Sequence, residues 1–237
     1  MVKRLKQSIE LTEQEFKRFL DEMERVPTHK APIPGKIARL CFEFMEDTGL
    51  RVTEAIHVRK KDINFGAKIL TVVYPKTEER CKCSTWKPAS QYYMTKVLVH
   101  ADQACLYCHG KGKWKKPQLT TITARIEPQL LGYCDTLSDD QILFPVLRQR
   151  LFKWAKIAGQ RAGIAIFQQK KERYIDGVFI HLFRELCAKR IIRDAKNDPY
   201  QYELASCKLR HKAENVTARY TKVDINYLLS WEAKKYG

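Results

Sequence analysis

The residues best suited to chemistry lie toward the C-terminal end of the chain. His181-Leu182-Phe183-Arg184 is followed by His211, and Tyr220 comes nine positions after that histidine (220 − 211). Another arginine stands far upstream in Gly49-Leu50-Arg51-Val52-Thr53-Glu54. A tyrosine oxygen can attack phosphorus and hold it as a covalent intermediate. Fixed guanidinium and imidazole groups can stabilise the charge that grows on the phosphate oxygens. Together they suit phosphoryl transfer on DNA carried out without a metal ion.

The charge balance fits that substrate. Lys+Arg 44 against Asp+Glu 27 gives a formal net charge of +17 over 237 residues. An excess of this size marks a polyanion partner, most often nucleic acid. The 44% hydrophobic content excludes wholesale disorder, and the length allows one substantial core or a core with a small appendage. No apolar run approaches the ~18 residues that cross a bilayer, and Met1-Val2-Lys3-Arg4-Leu5-Lys6 has no apolar signal core behind it. A cytoplasmic, nucleoid-associated protein without a membrane partner is the expectation. In such a reducing setting the eight Cys are not a disulfide framework, and those that cluster point to metal ligation.

These groups need a scaffold, and the hydrophobic spacing outlines one. Residues 11–25 (Leu11, Phe16, Phe19, Leu20, Met23) have helical spacing behind Thr12, with Glu15 completing a capping-box pattern. Residues 26–36, with three Pro and one Gly, form a loop. A second helix is expected over Ile37, Leu40, Cys41, Phe44 and Met45 to Asp47, stopped by Gly49, and a third over 52–57. The period then changes. Ile63, an Asn64-Phe65-Gly66 turn and residues 69–74 read as a turn and a strand ending at Pro75, with 120–126 as the partner strand. The segment between them, 77–119, is too long for a hairpin loop and needs its own organiser. Helical pattern returns over 130–137, 146–162, 182–195, 204–210, 216–220 and 225–235. The fold class expected is mainly α with one small antiparallel β-sheet.

Thr48-Gly49-Leu50-Arg51-Val52-Thr53-Glu54, His181-x-x-Arg184, and Leu209-Arg210-His211 with Arg219-Tyr220-Thr221 resemble the three boxes of the tyrosine recombinases, also called phage-type integrases. The resemblance to their catalytic domain covers roughly residues 11–230. It implies that Arg51 and Arg184 clamp the non-bridging oxygens of the scissile phosphate, as planar guanidiniums do well. It implies that His181 and His211 hydrogen-bond the phosphate or shuttle protons beside it. Tyr220 is then the nucleophile, leaving a 3′-phosphotyrosyl bond and a 5′-hydroxyl, with no ATP, nucleotide or catalytic metal. Glu54 orients Arg51 from behind. Lys76 is the expected general acid for the leaving oxygen, with Lys111 or Lys113 as competitors. Glu185 follows Arg184 where many members carry His, and the gap from Arg184 to His211 is longer than usual.

The enzyme so implied is a site-specific recombinase acting on double-stranded DNA, self-associating on it as a dimer or tetramer. Two alternatives stay open: a DNA-binding protein of the same fold that has lost catalysis, and a type IB topoisomerase-like activity. Family members usually clamp DNA with a further N-terminal helical domain. Residues 1–237 read as the catalytic domain alone, either a fragment or a short form like the fimbrial inversion recombinases.

The insertion carries its own motif. Cys81-Lys82-Cys83 and Cys105-Leu106-Tyr107-Cys108-His109-Gly110-Lys111-Gly112 supply two cysteine pairs about twenty residues apart. C-x-x-C-x-G-x-G resembles the zinc knuckle of DnaJ-type chaperones, and four thiolates suit one tetrahedral structural zinc. His109 or His100 could replace one Cys. Lys111, Lys113, Lys115 and Lys116 flank Trp114, a mix suited to DNA phosphate contact. Cys41, Cys134, Cys187 and Cys207 lie in apolar helical stretches and read as core packing.

Overall fold

The computed structural model describes residues 11–73, 75, 78–88, 96–106, 108–168, 173–176, 178, 180–210 and 223–236, without the side chains of 86–88, 96–97, 99, 165–168 and 173–176. Helix α1 (Glu13–Arg25) starts where the capping box predicts. The Thr12 hydroxyl accepts from the Glu15 N–H at 3.2 Å, and the Glu15 carboxylate accepts from the Thr12 N–H at 2.8 Å. Helix α2 (Gly35–Thr48) ends on Gly49, whose φ of 63° is the left-handed geometry a helix C-terminus favours. The third helix is short, α3 (Val52–Ala55), because the chain leaves the helical path at Ile56 and His57.

Strands β1 (Ile63–Asn64) and β2 (Ile69–Val72) form a sheet with β7 (Gln118–Thr121), in the order β1-β2-β7. The expected partnership of β2 and β7 is therefore present, antiparallel, with Leu70 opposite Thr120. The second strand stops earlier than expected. Thr123 gives its N–H to Asp47 Oδ2 at 3.0 Å and its hydroxyl to Oδ1 at 2.5 Å, so its polar groups are taken by α2. Within the insertion, β3 (Glu79–Arg80) pairs with β6 (Lys113–Trp114), and β4 (Ser84–Pro88) pairs with β5 (Lys96–Ala101). The insertion's described residues thus pair in two further short antiparallel ladders.

The C-terminal half is α4 (Glu127–Cys134), α5 (Arg148–Arg161), α6 (His181–Asp194), α7 (Gln201–Lys208) and α8 (Ile225–Tyr236). A hairpin of β8 (Ala165–Gln168) and β9 (Arg173–Asp176) separates α5 from α6. This corrects the expectation of a single sheet: the described residues hold four small antiparallel ones. Gly163, at φ 70°, turns the chain out of α5, and the apolar run after it is too short for periodicity to distinguish strand from helix. The helix expected over 216–220 lies outside the described residues.

Phe19, Phe42 and Phe183 join α1, α2 and α6, with ring centroids 5.0 to 5.5 Å apart. Each such side chain stabilises the fold by about 1.5–3 kcal/mol through burial. A second apolar cluster joins α6, α7 and α8 through Cys187, Ile191, Leu204 and Leu228. Cys41, Cys134 and Cys187 are fully buried, and Cys207 packs partly buried against the second cluster.

Charge is buried beside these clusters. Arg190 on α6 pairs with Glu46 at 2.8 Å and reaches Asp47 at 3.4 Å. Lys208, fully buried at the end of α7, donates to the Thr121 carbonyl at 3.1 Å, to its hydroxyl at 2.7 Å and to Glu232 on α8 at 2.8 Å. One ammonium thus ties α7 to the central sheet and to the C-terminal helix. Removing one partner of a buried pair leaves the other charge uncompensated. Glu232→Ala should lower the free energy of unfolding by about 3 kcal/mol, measured by denaturant titration. An unchanged midpoint would mean that α8 is not held through Lys208.

Candidate active site

The turn that presents Arg51 is set by the end of α2. A Cβ on Gly49 would stand 2.5 Å from Leu209 Cδ2, so both its backbone geometry and its surroundings require glycine. After it, Arg51 takes an extended conformation (φ −73°, ψ 151°) as the cap of α3. Its backbone N–H donates to Glu54 Oε2 at 2.8 Å, and its guanidinium donates to Glu54 Oε1 at 2.9 Å. The Arg51 side chain keeps 28% of its surface exposed, whereas that of Glu54 has none. The arginine is anchored from beneath and accessible from above.

Arg184 reaches the same turn from α6. Its Nη1 donates to the Gly49 carbonyl and its Nη2 to the Leu209 carbonyl. The guanidinium therefore clips the loop before Arg51 to the end of α7, and this residue is nearly buried. Burial, with Arg51 and Arg210 as like-charged neighbours, pushes its pKa down to about 10, opposed by Glu54. The group is still a cation at neutral pH.

Arg210 is the member of the site to which sequence reasoning gave no role, although it stands in the third box. Its Nη2 donates to Glu54 Oε2 at 2.7 Å, and its side chain is 4% exposed. Burial lowers its pKa, Arg51 lowers it further, and Glu54 opposes both. For Glu54 itself, burial would favour the neutral acid. Arg210, the Arg51 N–H and the Arg51 guanidinium outweigh it and hold the carboxyl below the usual carboxylate range. Three arginines and one glutamate leave a local excess of two positive charges (3 − 1). Such a group can hold a phosphate, since fixed cations need no reorganisation when charge develops.

His181 is the first residue of α6, exposed, one turn ahead of Arg184 on the same helix. Lys76, His211 and Tyr220 lie outside the described residues. Lys111, Lys113, Lys115 and Lys116 are exposed around the half-buried Trp114, on and beside β6. Arg51, Glu54 and Arg184 are thus brought together from residues 133 positions apart in sequence (184 − 51).

A protein-family model described as the phage integrase family matches residues 10–226. The chain belongs to that family. No curated protein matched it in sequence. Among solved structures it is similar to XerA recombinase, at 16% identity and a TM-score of 0.49, over 98% of this chain and 66% of that one. It is also similar to XerH site-specific recombinase bound to its difH substrate, at 18% identity and a TM-score of 0.49, over 92% of this chain and 51% of that one. A third is the Tn1549 transposon integrase in complex with transposon right end DNA, at 11% identity and a TM-score of 0.45, over 98% and 68%. The chain therefore spans less than two thirds of the length of the first two.

This phage integrase family member carries a second cluster in its insertion. The sulfurs of Cys81, Cys83, Cys105 and Cys108 all lie within 4.8 Å of one another. Cys81 Sγ is 3.6 Å from Cys105 Sγ, and Cys83 Sγ is 3.3 Å from Cys108 Sγ. Gly110 (φ 79°) and Gly112 (φ 67°) turn the chain around them, and the Cys81 N–H donates to the Gly112 carbonyl at 2.9 Å. A Cβ on Gly112 would stand 2.5 Å from Leu98 Cδ1, so the turn admits no side chain there. The cluster found among the described residues consists of the four cysteines, without His109 or His100. His109 has a left-handed backbone (φ 46°) and is exposed.

The Glu54 contacts have a measurable signature in stability. A carboxyl whose folded pKa is depressed contributes stability above its unfolded pKa, near 4.3, and loses that contribution as pH falls toward the folded value. Glu54→Gln should therefore cost about 2 kcal/mol at neutral pH, typical of a hydrogen-bonded charge. The difference from the parent protein should shrink as pH drops below about 4. Unfolding curves recorded across that range check it, and a pH-independent difference would contradict the assignment.

Proposed function

We propose that this protein is a site-specific DNA recombinase that cleaves and rejoins strands through a covalent 3′-phosphotyrosine. One observation carries the proposal: arginines from three separate boxes, Arg51, Arg184 and Arg210, meet around a buried Glu54. Family membership and the net charge of +17 support the same reading.

In this mechanism the Tyr220 oxygen attacks the scissile phosphorus while Arg51 and Arg184 hold the non-bridging oxygens. Arg184 also braces the turn that carries Arg51, so the two arginines contribute differently. His211 or His181 takes the tyrosine proton. The P–O5′ bond breaks, and Lys76 gives its proton to the departing 5′-oxygen. Attack by a 5′-hydroxyl from a second strand reverses these transfers and restores the phosphodiester. The energy of the broken bond stays in the tyrosyl ester, so no ATP is consumed.

Double-stranded DNA is the substrate, and pairing of two cleaved strands requires more than one copy of the protein on DNA. The catalytic domain spans residues 1–237, with 77–119 as its insertion. The insertion holds one structural zinc on Cys81, Cys83, Cys105 and Cys108. With zinc–thiolate bonds near 2.3 Å, tetrahedral sulfurs stand roughly 3.8 Å apart, close to the 3.3 and 3.6 Å separations of the cross-strand pairs. The ion's part is to bind the stem of the hairpin that carries Lys76. Lys111, Lys113, Lys115 and Lys116 beside it contact DNA phosphates.

Two measurements test these assignments. Nicked suicide duplexes of randomised sequence should yield protein–DNA adducts with the parent protein, in EDTA as in Mg²⁺ during short incubations, because the cations belong to the protein. Tyr220→Phe should bind DNA and form no adduct, and Arg51→Ala should slow adduct formation by about 100- to 1,000-fold. DNA binding without adducts from the parent protein would favour the non-catalytic alternative. Adducts persisting in Tyr220→Phe would move the nucleophile elsewhere.

Elemental analysis should find about one zinc per chain and none in the Cys105→Ser/Cys108→Ser variant, with a lower melting temperature for the latter. Equal, near-zero zinc in both would leave the four cysteines as ordinary thiols.

A further inference from the structure

Arg210 has a backbone that side-chain-bearing residues seldom adopt. Its φ is 54°, in the left-handed region where a Cβ is crowded. The residue lies just past the end of α7, and its side chain is 4% exposed. Nη2 meets Glu54 Oε2 at 2.7 Å, and Nη1 donates to the Lys208 carbonyl at 3.3 Å. Nε is buried and has no partner among the described residues. A strained, almost fully buried arginine with an incompletely satisfied guanidinium is a poor stabilising device. Its geometry is accounted for by what it grips.

The Glu54 carboxylate is held from two sides. Arg51 Nη1 takes Oε1, while Oε2 is shared by the Arg51 N–H and Arg210. The charged groups facing it are Arg51 at the head of α3, Arg210 after α7, and Arg184 from α6, which feels the carboxylate across the site. Without Arg210, Oε2 would keep only the backbone N–H. The carboxylate could then turn toward the Arg51 guanidinium and draw it away from the exposed side.

We propose that Arg210 is a positioning residue for strand cleavage: by holding Glu54 Oε2 from the end of α7, it aligns Arg51. The inference rests on the phosphotyrosine reading above. It gives this chain a brace that acts through Glu54 and makes no contact with DNA.

The experiment measures single-turnover adduct formation on a suicide duplex captured by the parent protein, as a function of pH. It compares the parent with Arg210→Met, Arg210→Lys and the double variant Glu54→Gln/Arg210→Met. If the parent forms no adduct, the phosphotyrosine reading fails before this one is tested. Methionine keeps length and packing and removes only charge and donors. It should slow cleavage by about 10- to 100-fold near neutral pH, as loss of a partner behind a functional ligand does, with DNA affinity unchanged. The ratio of variant to parent rate should rise with pH, because burial then favours a protonated Glu54. Taking the ratio cancels titrations common to both proteins, including those of the histidines. Arg210→Lys should recover most of the rate, and the double variant should lose the pH dependence of the ratio.

Three results would overturn the proposal. One is a rate equal to the parent's at every pH. A second is a pH-independent loss that tracks a fall in melting temperature, which is a structural role only. The third is weaker DNA binding with a salt slope reduced by about one, which is a direct phosphate contact. Should Arg210→Met fail to fold, Arg210→Lys against Arg210→Gln gives the same comparison with polar side chains. There, loss of pH dependence in both would likewise sink the idea.

Discussion

Cations gathered at one point repel one another. In this protein that repulsion is offset by one buried carboxylate, Glu54, placed among Arg51, Arg184 and Arg210. Burial makes each of these interactions stronger than it would be in water, and it raises the cost of leaving any of them unpaired. The surrounding architecture follows from that constraint. Gly49 must be glycine for the turn to pass Leu209, and Arg184 clips the Gly49 carbonyl to the Leu209 carbonyl. The ends of α2, α6 and α7 are thereby brought to one point.

A second layer of buried charge supports the first. Glu46, Asp47 and Arg190 join α2 to α6, while Asp47 also takes Thr123 from the strand side. Lys208, two residues before Arg210, joins α7 to β7 and α8. Buried ion pairs contribute little net stability compared with apolar packing, while removing one partner of such a pair is costly. Sliding α7 by one residue would break the Lys208 and Arg210 contacts together. The helices that position the site are set by directional bonds, while Phe19, Phe42, Phe183 and Leu228 supply the non-directional part.

Much of this was legible in the chain, and what was not has physical causes. The Thr12 and Glu15 cap, the stop at Gly49 and the pairing of the two main strands are local signals with short-range mechanisms. The family was readable because the arginine boxes combine particular residue types in one order with short gaps. Arg210 was harder, since a basic residue beside a box histidine gives no sign of a left-handed backbone or of burial. Lys208 would be read as surface from its type alone, and its burial depends on Glu232, which arrives 24 residues later (232 − 208). The cysteines were visible as sequence pairs, yet their short sulfur contacts run across the pairs, from Cys81 to Cys105 and from Cys83 to Cys108. The β8–β9 hairpin was missed because its strands are four residues each, below the length at which period separates strand from helix.

The central claim is that the arginine cluster around Glu54 serves a tyrosine attacking a DNA phosphate. Peptide mapping of a trapped adduct tests it most directly. Nuclease trimming leaves a short nucleotide mark on whichever residue formed the bond, and mass spectrometry of the proteolysed adduct locates it. The account predicts one marked peptide, spanning Tyr220, with the nucleotide joined through its 3′-phosphate to the phenolic oxygen. A mark on another residue, or linkage through a 5′-phosphate, would contradict it.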